Sequence, residues 1–209
     1  MKVNENIPRD EALLSELWSR FKDGDGEAFD QIFALRYREL FNYATRFTKD
    51  KEFIRDCVQD LFLEMWSHRE GLVDSPYVTV YLIKSLRNNL FRKLKLEKRL
   101  GESTNLDDEL YFLSDGQSTE TAWIDAELLH ENEQTIRDAI AQLPKRQQEV
   151  IFLKYYKGLS NEEIASVMNI EKQTVANFLH RSLTSLKRNL VSIAELLFLP
   201  LINLLFLKF

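Results

Sequence analysis

Glycine and proline are so sparse in this chain, 6 and 4 among 209 residues, that it has few places to turn sharply. Long helices satisfy their own backbone hydrogen bonds, whereas a β sandwich needs a turn every few residues. An all-α fold is therefore expected. Apolar residues recur at helical spacing in four segments of the first half. The first runs from about Asp10 to Lys22 on Leu13, Leu14, Leu17, Trp18 and Phe21, and stops at Gly24-Asp25-Gly26. The second runs from about Glu27 to Phe47 and the third from about Lys51 to His68. The fourth runs from about Ser75 to Leu100, with Pro76 suited to a first helical turn. Residues 101–118 carry no sustained apolar period and read as a linker. Helical pattern resumes near Thr121, continues to about Gln142, and gives way to short helices up to about Leu190. The expected division is a helical domain over 10–100, an acidic linker with a helical C-terminal part over 101–133, a second helical domain over 134–190, and an apolar tail over 191–209.

The formal net charge is -5, but the charge is segregated. Lys84, Arg87, Arg92, Lys93, Lys95, Lys98 and Arg99 stand against the single acid Glu97, while 100–138 is rich in Asp and Glu and holds only Arg137 as a base. This asymmetry indicates a polyanion-binding face beside an acidic connector. Cys57 is the only cysteine, so no internal disulfide and no cysteine-cluster metal site is expected. The N-terminus lacks a signal-peptide pattern, and a reducing, cytoplasmic setting fits best. His68, His130 and His180 match no ligand spacing. With no nucleophile–base arrangement either, the chain is expected to be no enzyme and to need no metal, cofactor or small-molecule substrate.

The most specific local signal lies between Leu159 and Arg188. Ser160-Asn161-Glu162-Glu163 is a capping box at the start of a short helix with Ile164, Ala165 and Met168 on its apolar face. Asn169-Ile170 makes a turn, and a second helix starts at Glu171 or Lys172 with Val175, Leu179, Leu183 and Leu186 as its apolar stripe. Lys172, Gln173, Thr174, Asn177, Phe178 and Arg181 are then the candidate duplex-DNA contacts of a recognition helix. Gln and Asn pair bidentately with adenine, and Arg and Lys read guanine or hold phosphates. No acid lies between Lys172 and Arg188 to offset the cations there. An ordinary helical hairpin with a solvated polar face is the alternative.

On the fourth segment, Ile83, Leu86, Leu90 and Leu94 form an apolar stripe. Tyr77, Tyr81, Lys84, Arg87, Asn88, Phe91, Arg92 and Lys95 supply cations interleaved with rings. That mixture suits single-stranded DNA, where cations follow phosphates and rings stack on unpaired bases. Phe91 equally suits burial against a neighbouring helix, and Tyr77 and Tyr81 equally suit a core with a polar tip. On the third segment Asp56, Asp60 and Glu64 lie four apart with Gln59 beside them, opposite Ile54, Val58, Leu61 and Met65. Carboxylates so spaced repel one another mildly. The row reads as a docking face for a basic partner or as a solvated helix face. Metal-assisted catalysis is set aside for want of a histidine or a glycine-rich phosphate loop. Cys57 reads as a small buried apolar residue.

Taken in order, these pieces resemble the extracytoplasmic-function sigma factors, the minimal two-domain branch of the bacterial housekeeping sigma superfamily. The resemblance covers roughly Leu13 to Leu190. It rests on Gly24-Asp25-Gly26-Glu27-Ala28-Phe29, on Asp56-Cys57-Val58-Gln59-Asp60-Leu61-Phe62 ending at Trp66, and on Tyr81-Leu82-Ile83-Lys84-Ser85-Leu86-Arg87-Asn88. In the second half it rests on Leu143-Pro144 with Arg146, Gly158-Leu159-Ser160 with Glu163-Ile164-Ala165, Thr174-Val175, His180-Arg181 and Leu183.

The resemblance implies a sigma region 2 helical bundle followed by a sigma region 4 helix-turn-helix. It implies core RNA polymerase (the β′ clamp and the β subunit) and promoter DNA as partners, and an anti-sigma factor as regulator. Asp56, Gln59, Asp60 and Glu64 would then dock on the β′ clamp. The Tyr77–Lys95 face would open and read the −10 element, with Asn88 the best-matched base reader, and the helix-turn-helix would read the −35 element. Arg92 departs from a position that is often acidic, Ala176 and Phe178 stand where bases are common, and Glu171 replaces a Ser or Thr cap, which weakens that helix start by about 1 kcal/mol. The apolar run Leu196–Leu207 has no counterpart in the family pattern. It suits a packed terminal helix, shallow insertion at a membrane surface, or partner binding. Rival readings are an autonomous helix-turn-helix transcriptional regulator and a protein-interaction adaptor.

Overall fold

The computed structural model describes residues 9–72, 77–100 and 136–206, with side chains over 11–72, 77–96 and 136–189. These residues are helical, with no strand among them. The chain divides into two compact units, Met1–Tyr111 and, apart from a short piece of one helix, Phe112–Phe209. The calls at Ser75 and Pro76, on the linker 101–118 and on the helical pattern from Thr121 to residue 135 lie outside the described residues.

The first unit holds α1 (Arg9–Lys22), α2 (Gly26–Ala44), α3 (Lys51–Ser67) and α4 (Val78–Leu100). Its turns are set by local chemistry. Gly24 takes φ +93, a conformation that costs glycine nothing. Asp25 then caps α2, its Oδ1 accepting from the amides of Glu27 and Ala28 at 2.9 and 3.1 Å. Its Oδ2 accepts from Arg20 Nε at 2.9 Å, tying the end of α1 to the start of α2. Asp50 caps α3 in the same way, through Glu52 and Phe53. Each cap satisfies amides that have no partner inside the helix.

Between these helices lies an aromatic core. Trp18 meets Tyr81 edge-on at 5.1 Å, Phe29 meets Trp66 at 5.1 Å, and Phe33 meets Phe62 at 4.8 Å. Such pairs contribute about 0.5–1.5 kcal/mol each beyond their burial. Leu14, Leu17 and Phe21 face this core, whereas Leu13 does not and is 46% exposed, because it sits about 100° around the helix from Leu14. Helix α2 stops at Ala44 rather than Phe47. Beyond its end the amides of Arg46 and Phe47 turn back three residues to the carbonyls of Tyr43 and Ala44 at 3.2 and 2.9 Å, and Phe47 is buried.

The second unit begins with helical residues 136–141, followed by α5 (Lys145–Ile151), a π-helical turn (Phe152–Tyr156), α6 (Asn161–Met168) and α7 (Lys172–Phe206). Buried Gln148 donates to the carbonyls of Leu143 and Ala141 at 2.6 and 3.0 Å, fastening α5 to the helix end before it. The backbone of α7 stays helical through Pro200 to Phe206, so the boundary expected at residue 190 is not a break in the helix. On α7 Val175 and Leu179 are buried but Leu183 is 45% exposed. A stripe written at steps of four drifts about 40° per step against a 3.6-residue turn. Among the described residues no helix is long and apolar enough to cross a membrane.

Candidate functional site

On α3 the buried residues Ile54, Cys57, Val58, Leu61 and Met65 take the inner face. The outer face presents Asp56, Gln59 and Asp60, and one turn further on Leu63, which is 63% exposed. These four stand at i, i+3, i+4 and i+7, a single continuous helix face. Leu63 was missed in the sequence because it interrupts no apolar period, although its register with Asp56, Gln59 and Asp60 was there to be read.

The carboxylate row on α3 is not left to repel itself. Lys93 Nζ of α4 lies 2.5 Å from Asp60 Oδ2, and Arg92 Nη2 lies 3.1 Å from Glu64 Oε1. Partial desolvation lowers the Lys93 pKa, but the Asp60 hydrogen bond and the charges around it outweigh this and raise it above its ordinary value. Asn89, only 7% exposed, donates to Glu64 Oε2 at 3.3 Å and accepts from Arg92 Nη2 at 3.2 Å. Glu64 is thus turned toward α4.

Along α4, Ile83, Leu86 and Leu90 are buried and Leu94 is half-buried. Asn88, Arg92 and Lys95 are exposed, and Lys84 and Tyr77 are half-buried. Two of the three rings expected among the cations are engaged with other rings of the protein. Tyr81 packs on Trp18, and Phe91 meets Phe47 edge-on at 5.4 Å. Arg87 corrects the expected outer face. It is 6% exposed, with its guanidinium 4.0 Å from the Phe91 ring centroid, so it belongs to the packing of α4 and not to its open side.

The helix-turn-helix is built as its caps dictate. The Ser160 amide donates to Glu163 Oε2 at 2.6 Å and the Glu163 amide donates to Ser160 Oγ at 3.2 Å. Asn169 ends α6 in the left-handed region at φ 52, ψ 51, which asparagine tolerates better than most residues. The Glu171 carbonyl takes the first α7 bond, from Val175 at 3.2 Å. Lys172 pairs with Glu162 of α6, so its counter-charge comes from the preceding helix rather than from its own. That bond, chiefly, holds the Glu162 carboxyl below its ordinary value. Gln173, Asn177 and Arg181 are exposed, with Gln173 Nε2 donating to Asn177 Oδ1 at 3.2 Å, while Thr174 and Phe178 are half-buried. Tyr155 and Tyr156 on the π turn, 59% and 61% exposed, were not singled out from sequence. Among the described residues no group of His, Cys, Asp and Glu could hold a metal ion.

Comparison with known proteins gives the family of the chain. Residues 32–100 match the family model of Sigma-70 region 2, and residues 133–186 match that of Sigma-70 region 4. The chain is 25% identical over 187 residues to the ECF RNA polymerase sigma factor SigW of Bacillus subtilis, covering 86% of this chain and 98% of that protein. It is 28% identical over 152 residues to the ECF RNA polymerase sigma factor SigL of Mycobacterium tuberculosis, covering 72% and 82%. The chain belongs to the extracytoplasmic-function sigma factors. It is an RNA polymerase sigma factor, a transcription initiation factor of all-α fold. The fold of this sigma factor is similar to that of CnrH, solved in complex with the cytosolic domain of CnrY, at a TM-score of 0.56 and 20% identity over 86% of this chain and 98% of CnrH. It is also similar to that of the sigma factor RpoE of Bartonella quintana, at a TM-score of 0.55 and 19% identity over 78% and 96%.

Proposed function

We propose that this sigma factor docks on core polymerase through Asp56, Gln59, Asp60 and Leu63 of α3. The observation that carries the reading is that continuous helix face, in which two acids and an amide lead up to one exposed leucine. Charged groups around an apolar anchor steer a basic partner and exclude water from the centre of the contact. Promoter DNA is engaged at two places. Lys84, Asn88, Arg92 and Lys95 of α4 serve the −10 strand, with Tyr77, Tyr81 and Phe91 as the half-buried rings that brace that helix. Lys172, Gln173, Thr174, Asn177 and Arg181 of α7, with Phe178 packed beside them, serve the −35 duplex.

In this reading the units over 10–100 and 134–190 act as regions 2 and 4, and the polymerase performs the chemistry. The sigma factor itself is no enzyme, needs no cofactor and works in the cytoplasm. A regulator of anti-sigma type belongs to it, since RpoE of Bartonella quintana is solved with the anti-sigma factor NepR.

The test is reconstitution with core polymerase. Asp56→Lys and Asp60→Lys are expected to abolish complex formation while circular dichroism stays unchanged. Normal core binding by both would end the docking assignment. Tight promoter binding by the isolated chain, indifferent to core, would favour the autonomous regulator instead.

A further inference from the structure

Gln173 and Asn177 stand one turn apart on α7, both exposed, and Gln173 Nε2 donates to Asn177 Oδ1 at 3.2 Å. The other side of the helix is fixed. Val175 and Leu179 are buried, and the buried Ser182 hydroxyl lies 3.1 Å from Gln147 Oε1, tying α7 to α5. The two amides therefore project from a seated helix. Water would serve each of them as well as its neighbour does, so the bond between them adds little to the fold. What it does is restrict how the Gln173 amide turns.

A primary amide carries two N–H groups and one carbonyl oxygen, and the bond to Asn177 takes one N–H. Asparagine is one methylene shorter than glutamine, so its Oδ1 is met by the N–H on the stem side of the Gln173 amide. The outer N–H then stays beside Oε1, a donor next to an acceptor on one planar edge. In the major groove adenine offers the complement, an N7 acceptor beside an N6 donor. Guanine offers two acceptors, N7 and O6, and would set an oxygen against Oε1. Thymine offers one acceptor and cytosine one donor.

We propose that Gln173 selects adenine at one A·T pair of the duplex read by α7, engaging N6 and N7 with its free edge, and that Asn177 is its positioning residue. The inference rests on the reading of α7 as the −35 helix, and it assigns that helix a base. It also separates two residues of the same chemistry. Asn177 has an amide of its own, but its oxygen is committed to Gln173.

The experiment uses the reconstituted holoenzyme to select duplexes randomised over the −35 element. The bound fraction is sequenced, and affinities are then measured for the best duplex and its variants. The wild type is expected to prefer adenine about tenfold at one position. Replacing that base by 7-deazaadenine, which lacks the N7 acceptor, should forfeit the preference in the wild type and change nothing in Gln173→Ala. Gln173→Ala should lose selectivity at that position and keep it elsewhere. Asn177→Ala should relax the same position and add nothing to Gln173→Ala. Asn177→Asp, which keeps the acceptor, should bind every duplex more weakly yet retain the adenine preference.

The proposal falls if Gln173→Ala keeps the adenine preference, or if the position that Gln173 controls prefers guanine. It falls if Asn177→Ala relaxes a different position, which would make the asparagine a reader in its own right. It falls equally if Asn177→Asp relaxes the preference as fully as Asn177→Ala, since the oxygen would then not be what positions Gln173. If Gln173→Ala, Thr174→Ala and Arg181→Ala all leave the selected sequences unchanged, α7 is not the −35 helix, and the assignment to adenine goes with it.

Discussion

The guanidinium of Arg87 lies 4.0 Å from the centroid of the Phe91 ring, one turn further along α4, with Arg87 buried in the first unit and Phe91 half-buried. A desolvated cation over a ring contributes about 2 kcal/mol, and the Arg stem adds packing. Arg87→Ala is expected to lower the stability of the first unit by about that amount in urea denaturation. It should leave the salt slope of promoter binding where it is, which separates Arg87 from Arg92 and Lys95.

Leu63 makes a contrasting case. Its side chain is largely in water in the free protein, so its removal should cost the fold nothing measurable. Within a docking face, an apolar anchor replaced by a charge should weaken binding at least about tenfold. Leu63→Lys is therefore expected to lower core affinity with an unchanged melting temperature, checked by titration against labelled core polymerase. Equal affinity for both proteins would remove Leu63 from the contact.

The helix-turn-helix depends on two positions that can be tested by stability alone. Ser160→Ala removes one half of the capping box and should cost about 1 kcal/mol. Asn169 sits at φ 52, where a β-branched side chain is crowded. Asn169→Val should cost about 1–2 kcal/mol and Asn169→Gly should be nearly neutral, as read from chemical denaturation of the intact chain.

Asp25 gives the first unit an acid limit. The hydrogen bond from the Ala28 amide, then that from Arg20, hold its carboxyl below the ordinary value of 3.8. A group with a lowered folded-state pKa stabilises the fold above its unfolded value and loses that contribution as pH falls through the folded one. The wild-type advantage over Asp25→Asn should therefore be full near neutral pH, begin to shrink near 3.8, and disappear below the folded-state pKa. Thermal melts across that range are the check.

Much of this molecule could be read before its coordinates. Helical periodicity in Leu14, Leu17 and Phe21, the breaker at Gly24, and the capping box at Ser160 are local signals, and each decides a local outcome. The all-α fold followed from them, while the sigma family was given by a resemblance carried by the whole series of motifs, among them Asp56–Phe62 and Tyr81–Asn88. The partners chosen by long side chains could not be read in the same way. Periodicity assigns Arg87 to a helix face without saying that Phe91 will lie beneath it. It lists Asp60, Glu64, Arg92 and Lys93 on two different helices, and only the packing of α3 on α4 pairs them. Asn89 carried a usable hint, since Arg92 and Lys93 follow it at i+3 and i+4, but beside Asn88 it looked like one more polar residue. The π turn leaves no sequence trace, because it depends on which carbonyl an amide chooses.

That choice has a consequence for how the second unit tolerates change in length. The Lys157 amide reaches back five residues to Phe152, at 3.2 Å, so the turn contains one residue more than an α-helix would need. A surplus residue is slack. Deleting one position there lets the coil tighten to α geometry with Leu153 and Leu159 still inside. The same deletion in α7 ahead of Val175 would swing every later side chain by about 100° and carry Val175 and Leu179 out of their seats. Indels in this unit are thus absorbed at the tyrosine pair and refused at the reading helix.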